Sequence, residues 1–140
     1  MHLKVKKIVP EAKLPIRAKE GDAGLDLHSV ESCVIAPMER RAVRTGIALE
    51  IPMGCVGLVW DKSGLAAKIG LKTMGGVIDA GYRGEILVVL ANLGDEAHAI
   101  AVGDKVAQLL VQRVELFPVE EVSDLPDSER GADGFGSTGR

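Results

Sequence analysis

The sequence predicts an all-β fold, an antiparallel sandwich or barrel, and three observations carry that expectation. Apolar residues come in short, β-branched runs separated by Gly, Pro, Asp and Asn, the punctuation of strands and turns. Only Ser63–Ile69 reads as a helix, of two turns at most. Aromatic residues make up only 3% of a chain that is 46% hydrophobic, so Val, Ile, Leu and Ala must fill the core. At 140 residues the chain suits one domain.

The strands follow in order. Leu3–Ile8 alternates polar and apolar residues, as does part of Ala42–Thr45 before Gly46. Leu25 and Leu27 flank Asp26, which puts a carboxylate on a strand with apolar neighbours. The remaining runs are Ile47–Ile51, Cys55–Trp60, Ile86–Leu90, Val106–Val111 and Val114–Val119. Pro52-Met53-Gly54, Asn92-Leu93-Gly94-Asp95 and Val102-Gly103-Asp104 mark turns between them. Ile86–Leu90 is apolar on both faces, which in so small a protein hints at burial against another subunit. After Val119 the chain turns acidic and strand-poor, then glycine-rich. It divides into a β core over 1–119 and a flexible C-terminal arm over 120–140.

Composition excludes several classes. A formal charge of −3 argues against a nucleic-acid binder that relies on a basic surface. No apolar run approaches the roughly 20 residues of a membrane span. The start has no apolar stretch after its charged residues, so it does not read as a secretory signal. Cys33 and Cys55 are isolated, as expected of two reduced, buried thiols in a cytoplasmic protein. His2, His28 and His98 show no metal spacing.

Five segments could carry chemistry. The half-buried Asp26 in Gly21–Leu27 wants a cation, backbone N–H groups or a metal. In Trp60–Ala66, Ser63 is a helix N-cap candidate, the free N–H groups there suit an anion, and Lys62 adds charge. Gly75–Glu85 reads as a β-hairpin turning at Asp79-Ala80-Gly81, with Tyr82 packed on it. The same stretch also reads as a pocket in which glycines admit a ligand to bare backbone, Asp79 forms the floor and Tyr82 is a flat surface. Gln108 lies in an otherwise apolar strand and needs a core hydrogen bond or a ligand contact. The ending Gly134-Phe135-Gly136-Ser137-Thr138-Gly139-Arg140 matches G-x-G-x-x-G. It follows an acidic linker and opens no helix, so it is neither a dinucleotide turn nor a P-loop. What remains is a glycine-rich segment whose N–H groups and side-chain donors can wrap a phosphate.

Taken in order, A-G-L-D-L, K-S-G-L-A, G-V-I-D-A-G-Y-R-G, G-D-K-V-A-Q-L and R-G-x-x-G-F-G-S-T-G resemble the five motifs of the trimeric dUTPase family, from about Ala23 to the last residue. The resemblance implies a β jelly-roll (a distorted barrel) assembled as a three-fold homotrimer, with active sites between subunits closed by the C-terminal tail. It implies dUTP as substrate, Mg²⁺ as cofactor, and hydrolysis to dUMP and pyrophosphate, which keeps uracil out of DNA and supplies dUMP for thymidylate synthesis. Asp79 then corresponds to the carboxylate that activates the attacking water. Gly76, Val77 and Ile78 correspond to the backbone that reads uracil, and Tyr82 to the ring that stacks under deoxyribose. Lys62, Ser63, Gly64 and Gln108 resemble phosphate contacts. Arg130, Phe135, Gly136, Ser137 and Thr138 resemble the closing tail, with the ring over uracil and the rest on the γ-phosphate. Asp26 resembles the motif-one carboxylate, which implies an indirect action on the metal, through water. Lys62 stands where the family usually has Arg, so a point charge replaces a planar fork. Lys72-Thr73-Met74-Gly75-Gly76 carries no Asn, which leaves base reading to the backbone.

Two other classes compete. A dCTP deaminase of similar fold needs a Glu in the strand after the third motif, and Val89 stands about there. A regulatory protein switched by dUTP would keep the pocket without needing turnover.

Overall fold

The computed structural model describes residues 2–134. Ten strands and one helix follow in order: β1 Lys4–Lys7, β2 Leu25–His28, β3 Cys33–Ile35, β4 Arg40–Glu50, β5 Cys55–Trp60, α1 Ser63–Ile69, β6 Leu71–Met74, β7 Val77–Ile78, β8 Glu85–Asn92, β9 His98–Ile100 and β10 Lys105–Arg113. Two four-stranded sheets, β1-β4-β8-β6 and β2-β10-β5-β7, and a β3-β9 pair make up the architecture. Every strand pairing among the described residues is antiparallel. A single aliphatic cluster joins all three sheets: Val43, Ile47 and Val88 from the first, Leu27, Val106 and Leu109 from the second, Ile35 and Ile100 from the third. Each fully buried Leu, Ile or Val in it is worth about 1.5–3 kcal/mol of transfer free energy, so no aromatic residue is needed.

Differences from the sequence expectation have physical causes. Ala42–Thr45 and Ile47–Ile51 are not two strands. They belong to the single strand β4, whose pairing with β8 shifts between Arg44 and Ala48, so Gly46 marks a bulge instead of a break. The Gly46 amide lost to the ladder donates instead to Glu85 Oε1 at 2.8 Å. Val114–Val119 forms no strand. Val114 N–H reaches Gly54 O at 3.0 Å, but beyond it Leu116 and Phe117 stand exposed, with no neighbouring strand among the described residues. Phe117 and Trp60 are 78% and 53% exposed, so neither is core within one chain. In β8, Ile86, Val88 and Leu90 are buried while Leu87 is exposed and Val89 partly buried, so the outer face of that doubly apolar run is incompletely covered.

The helix occupies the expected Ser63–Ile69, but its N-cap is Lys62 and no side chain caps it; Ser63 is the first helical residue. Asp79–Tyr82 does form a turn, with Tyr82 N–H donating to Asp79 O at 3.0 Å. It is not a hairpin turn, because β7 pairs with β5 and β8 with β4 and β6, so the chain crosses here from one sheet to the other. Cys33 and Cys55 are free thiols, partly buried. Among the described residues no helix is long and apolar enough to cross a membrane.

Candidate active site

The crossing from β6 through β7 to β8 creates a cavity of about 210 Å³. Gly76, Val77, Ile78, Asp79, Tyr82, Ile86 and Leu87 line it. Gly76 has φ +95°. A Cβ there would sit 2.8 Å from Val59 O, and Gly76 O accepts the Val59 N–H at 2.8 Å. Only glycine can follow this path so close to β5. Asp79 is exposed and makes no side-chain hydrogen bond among the described residues, so its carboxylate is open to whatever enters. Tyr82 is held: its hydroxyl donates to Glu85 O at 3.0 Å, and the ring lies over Gly84, where a Cβ would come within 2.5 Å of Cζ. The Glu85 side chain is occupied with Arg44 and the Gly46 amide.

A second cavity flanks the other side of the β5 end. Gly24, Trp60, Asp61, Ser63, Ala66 and Gln108 line it. The Gln108 amide donates to Asp61 O at 2.8 Å, which answers the need for a partner and leaves its oxygen free. Gly24 makes room, since a Cβ there would overlap the Gln108 side chain. Ser63 and Gly64 are exposed at the start of the helix.

Asp26 is only 3% exposed. Lys62 Nζ donates to its Oδ1 at 2.5 Å. Lys105 Nζ lies 2.8 Å from Oδ2, an ion pair not aligned as a hydrogen bond. Burial pushes this carboxyl up, but the two ammonium groups outweigh that and hold it below the ordinary carboxylate range. The expected cation partner is therefore present twice. His28, on the same strand and 6% exposed, has no partner for Nδ1. Burial, and then Lys13, holds its imidazole below the usual value.

A divalent metal needs several oxygen ligands. Among the described residues no three His, Cys, Asp or Glu side chains gather, and Asp26 already faces two ammonium groups. These residues do not form a protein metal site.

Most sequence-predicted residues fall on one of two surfaces. Gly76, Val77, Ile78, Asp79 and Tyr82 share the first cavity; Ser63 and Gln108 share the second, with Lys62 and Gly64 in the same loop. The two cavities have no lining residue in common. Arg130 is exposed, and its Nε donates to Asp133 O at 2.9 Å, bringing it to neither cavity. Phe135, Gly136, Ser137 and Thr138 lie outside the described residues. Sequence reasoning missed Lys105, Gly84 and Asp61. All three stand inside or beside the motifs it singled out, but nothing local revealed what they touch.

An antiparallel β protein with a backbone-walled cavity for a flat polar ring, and a second cavity with helix-start amides and nearby lysines for an anion, defines a class of nucleotide-binding protein. The dUTPase family model matches residues 10–139, so the chain belongs to the dUTPase family. It is 51% identical to the deoxyuridine 5'-triphosphate nucleotidohydrolase of Corynebacterium glutamicum, over 99% of this chain and 95% of that protein. It is 50% identical to that of Clostridium kluyveri, over 99% of both. Its fold is that of the dUTPase from Staphylococcus bacteriophage 80alpha solved with dUpNHpp: TM-score 0.93, 30% identity, 99% of both chains covered. A dUTPase from phage phi11 of S. aureus, described with a structural Mg(II) ion, matches at TM-score 0.83 and 29% identity, over 89% of this chain and 98% of that one. The jelly-roll expectation is thereby met.

Proposed function

We propose that this protein hydrolyses dUTP, as its magnesium complex, to dUMP and pyrophosphate. The observation that carries the reading is the cavity that brings Gly76–Ile78 together with Asp79 and Tyr82, in a chain about half identical to enzymes named for this reaction. Backbone groups of Gly76–Ile78 pair with the uracil edge; cytosine would leave polar groups unpaired. The Tyr82 ring lies under deoxyribose and leaves no room for a 2′-hydroxyl. Asp79 orients a water and takes its proton as the water oxygen bonds to the α-phosphorus. The bond from that phosphorus to the bridging oxygen breaks, and pyrophosphate leaves. A positioned general base contributes about 10²–10⁴-fold.

Ser63, Gly64, Gln108 and Lys62 contact the phosphates. Lys62 must divide its charge between Asp26 and the substrate, or leave Asp26 when the triphosphate binds. Magnesium enters on the triphosphate and neutralises part of its charge. Asp26, which already faces Lys62 and Lys105, would reach the metal only indirectly, through water. The arm from 120, with Arg130 and then Phe135–Thr138, closes over the bound nucleotide. The active form is a homotrimer in the cytoplasm with sites shared between subunits. Two features favour sharing: the cavities share no lining residue within one chain, and Leu87 and Phe117 are exposed. Neither nucleic acid nor membrane is a partner.

The deaminase alternative loses support at β8. Its one carboxylate, Glu85, is tied to Arg44 and the Gly46 amide. Pyrophosphate and ammonia release from dUTP, dCTP, dTTP and UTP with Mg²⁺ test both readings. Pyrophosphate from dUTP alone is expected; none from dUTP overturns the proposal, and ammonia from dCTP revives the deaminase. Nucleotide binding without turnover would favour the regulatory alternative.

A further inference from the structure

Asp61 sits in the loop just after β5, one residue beyond Trp60 of the second cavity and two beyond Val59 of the first, and it ties two other strands, β10 and β6. Its backbone oxygen holds the Gln108 amide of β10 at 2.8 Å. Its carboxylate turns the opposite way, to β6. Oδ1 accepts the Thr73 N–H at 2.6 Å and the Thr73 hydroxyl at 2.7 Å, and Oδ2 accepts Lys72 Nζ at 2.9 Å. Thr73 is 8% exposed, so its two donors have no water to fall back on. Burial raises the Asp61 carboxyl, and the Lys72 and Thr73 donors lower it further, to a net value below the ordinary range. It is therefore an anion at neutral pH and accepts all three bonds.

The sheet memberships give this its consequence. β6 is the edge of one sheet, whereas β5 and β10 belong to the other. Thr73 is followed at once by Met74, Gly75 and Gly76, the entry to the base-side cavity. On the other side, Asp61 is followed by Lys62, Ser63 and Gly64, the phosphate-side loop.

We propose that Asp61 is a positioning residue that fixes the phosphate-side loop and Gln108 against the base-side turn of the same chain. Resting on the proposed function for the identity of the ligands, this assigns Asp61 an effect on both half-sites although its carboxylate contacts neither nucleotide moiety. Removing the carboxylate frees Thr73 and Lys72 together. The seam between the sheets then opens at the point where both ligand surfaces begin.

The test uses the full chain with Asp61→Ala, Asp61→Asn, Thr73→Val and Asp61→Ala/Thr73→Val. Melting curves establish that each is folded at the assay temperature. Affinities for dUMP and for pyrophosphate are read separately from Trp60 emission, which lies beside both surfaces, or by calorimetry if emission does not change. Kinetics with dUTP give kcat and KM. Asp61→Ala is expected to lower kcat/KM by about 10- to 100-fold, the scale of a small misplacement of reacting groups. It should weaken both dUMP and pyrophosphate. Asp61→Asn keeps the acceptor for Thr73 and recovers most of the loss. Adding Thr73→Val to Asp61→Ala should cost less than about 2-fold more, because both remove one tie. A folded Asp61→Ala that weakens pyrophosphate alone, or that keeps kcat and KM, overturns the proposal, as do additive effects of the two substitutions. A wild type that binds both ligands but releases no pyrophosphate from dUTP overturns the proposed function and leaves the positioning role to be decided by the affinities.

Discussion

The two cavities meet at the end of one strand but are built from different materials. The base-side wall is backbone: Gly76 at φ +95°, its oxygen on Val59, and the turn from Asp79 to Tyr82. The phosphate side is made of side chains under tension between charges: Lys62 and Lys105 on one buried Asp26, Asp61 on Thr73 and Lys72, Gln108 on a carbonyl. A base edge has a fixed pattern of donors and acceptors, and rigid backbone groups can match it without reorganising. A triphosphate brings several charges that must be met by groups able to move. One device is common to both halves: a glycine gives space to the side chain that does the contacting, Gly84 for Tyr82 and Gly24 for Gln108.

The largest expected effect isolates Asp79, since the other carboxylate lining the base side, Glu85, is held by Arg44 and the Gly46 amide. Asp79→Asn should lower kcat by about 10²–10⁴-fold while nucleotide affinity persists, because an amide keeps the shape but cannot take the proton. Retained turnover in a steady-state assay removes Asp79 from the role and leaves the base side purely a recognition surface. Next, Gly76→Ala tests whether that wall is as rigid as it looks. The new Cβ meets a backbone oxygen, which cannot swing away, and the φ is unfavourable, so kcat/KM should fall by up to about 10²-fold. A loss below a few-fold would show that the wall yields.

Gly84→Ala should have a smaller and more selective effect. The ring it displaces is the flexible end of a side chain that is 46% exposed, so the fold tolerates it. Turnover of dUTP should fall by less than about 10-fold, while the preference for dUTP over UTP drops by about that factor, the size of one lost steric contact. An unchanged ratio of kcat/KM values would dissociate the Tyr82 ring from sugar selection.

These two halves were not equally legible in the sequence. Strand runs such as Cys55–Trp60 and the helix Ser63–Ile69 were readable because period and turn residues are local signals. Gly76, Asp79 and Tyr82 were readable because backbone-built sites leave glycines close together in sequence. The sheet crossing after Asp79 was not, since a turn looks alike whether its strands pair or part. The phosphate side hid its partnerships. Lys62 and Asp26 are 36 residues apart, Gln108 and Asp61 are 47 apart, and such pairs exist only after folding. Val114–Val119 misled because β-branched residues favour an extended chain, but among the described residues no neighbouring strand pairs with it.

The smallest expected effect on turnover, and the sharpest on pH, comes from Asp26→Asn. The substitution leaves the base side untouched and releases two lysines on the phosphate side. KM for dUTP should change by less than about 10-fold, since the lysines stay cationic and lose only their aim. Stability should fall at neutral pH by about 1.5–3 kcal/mol, the worth of a hydrogen bond to a charged group. Because the folded carboxyl lies below its unfolded value of about 3.8, this contribution is complete above that value and is lost as pH falls through the folded one. The melting temperatures of wild type and variant should therefore differ by a constant amount from neutral pH down to the ordinary carboxylate range and converge only below it. A gap that closes nearer pH 6 would mean that a group other than Asp26, with His28 on the same strand the first suspect, governs this half of the site.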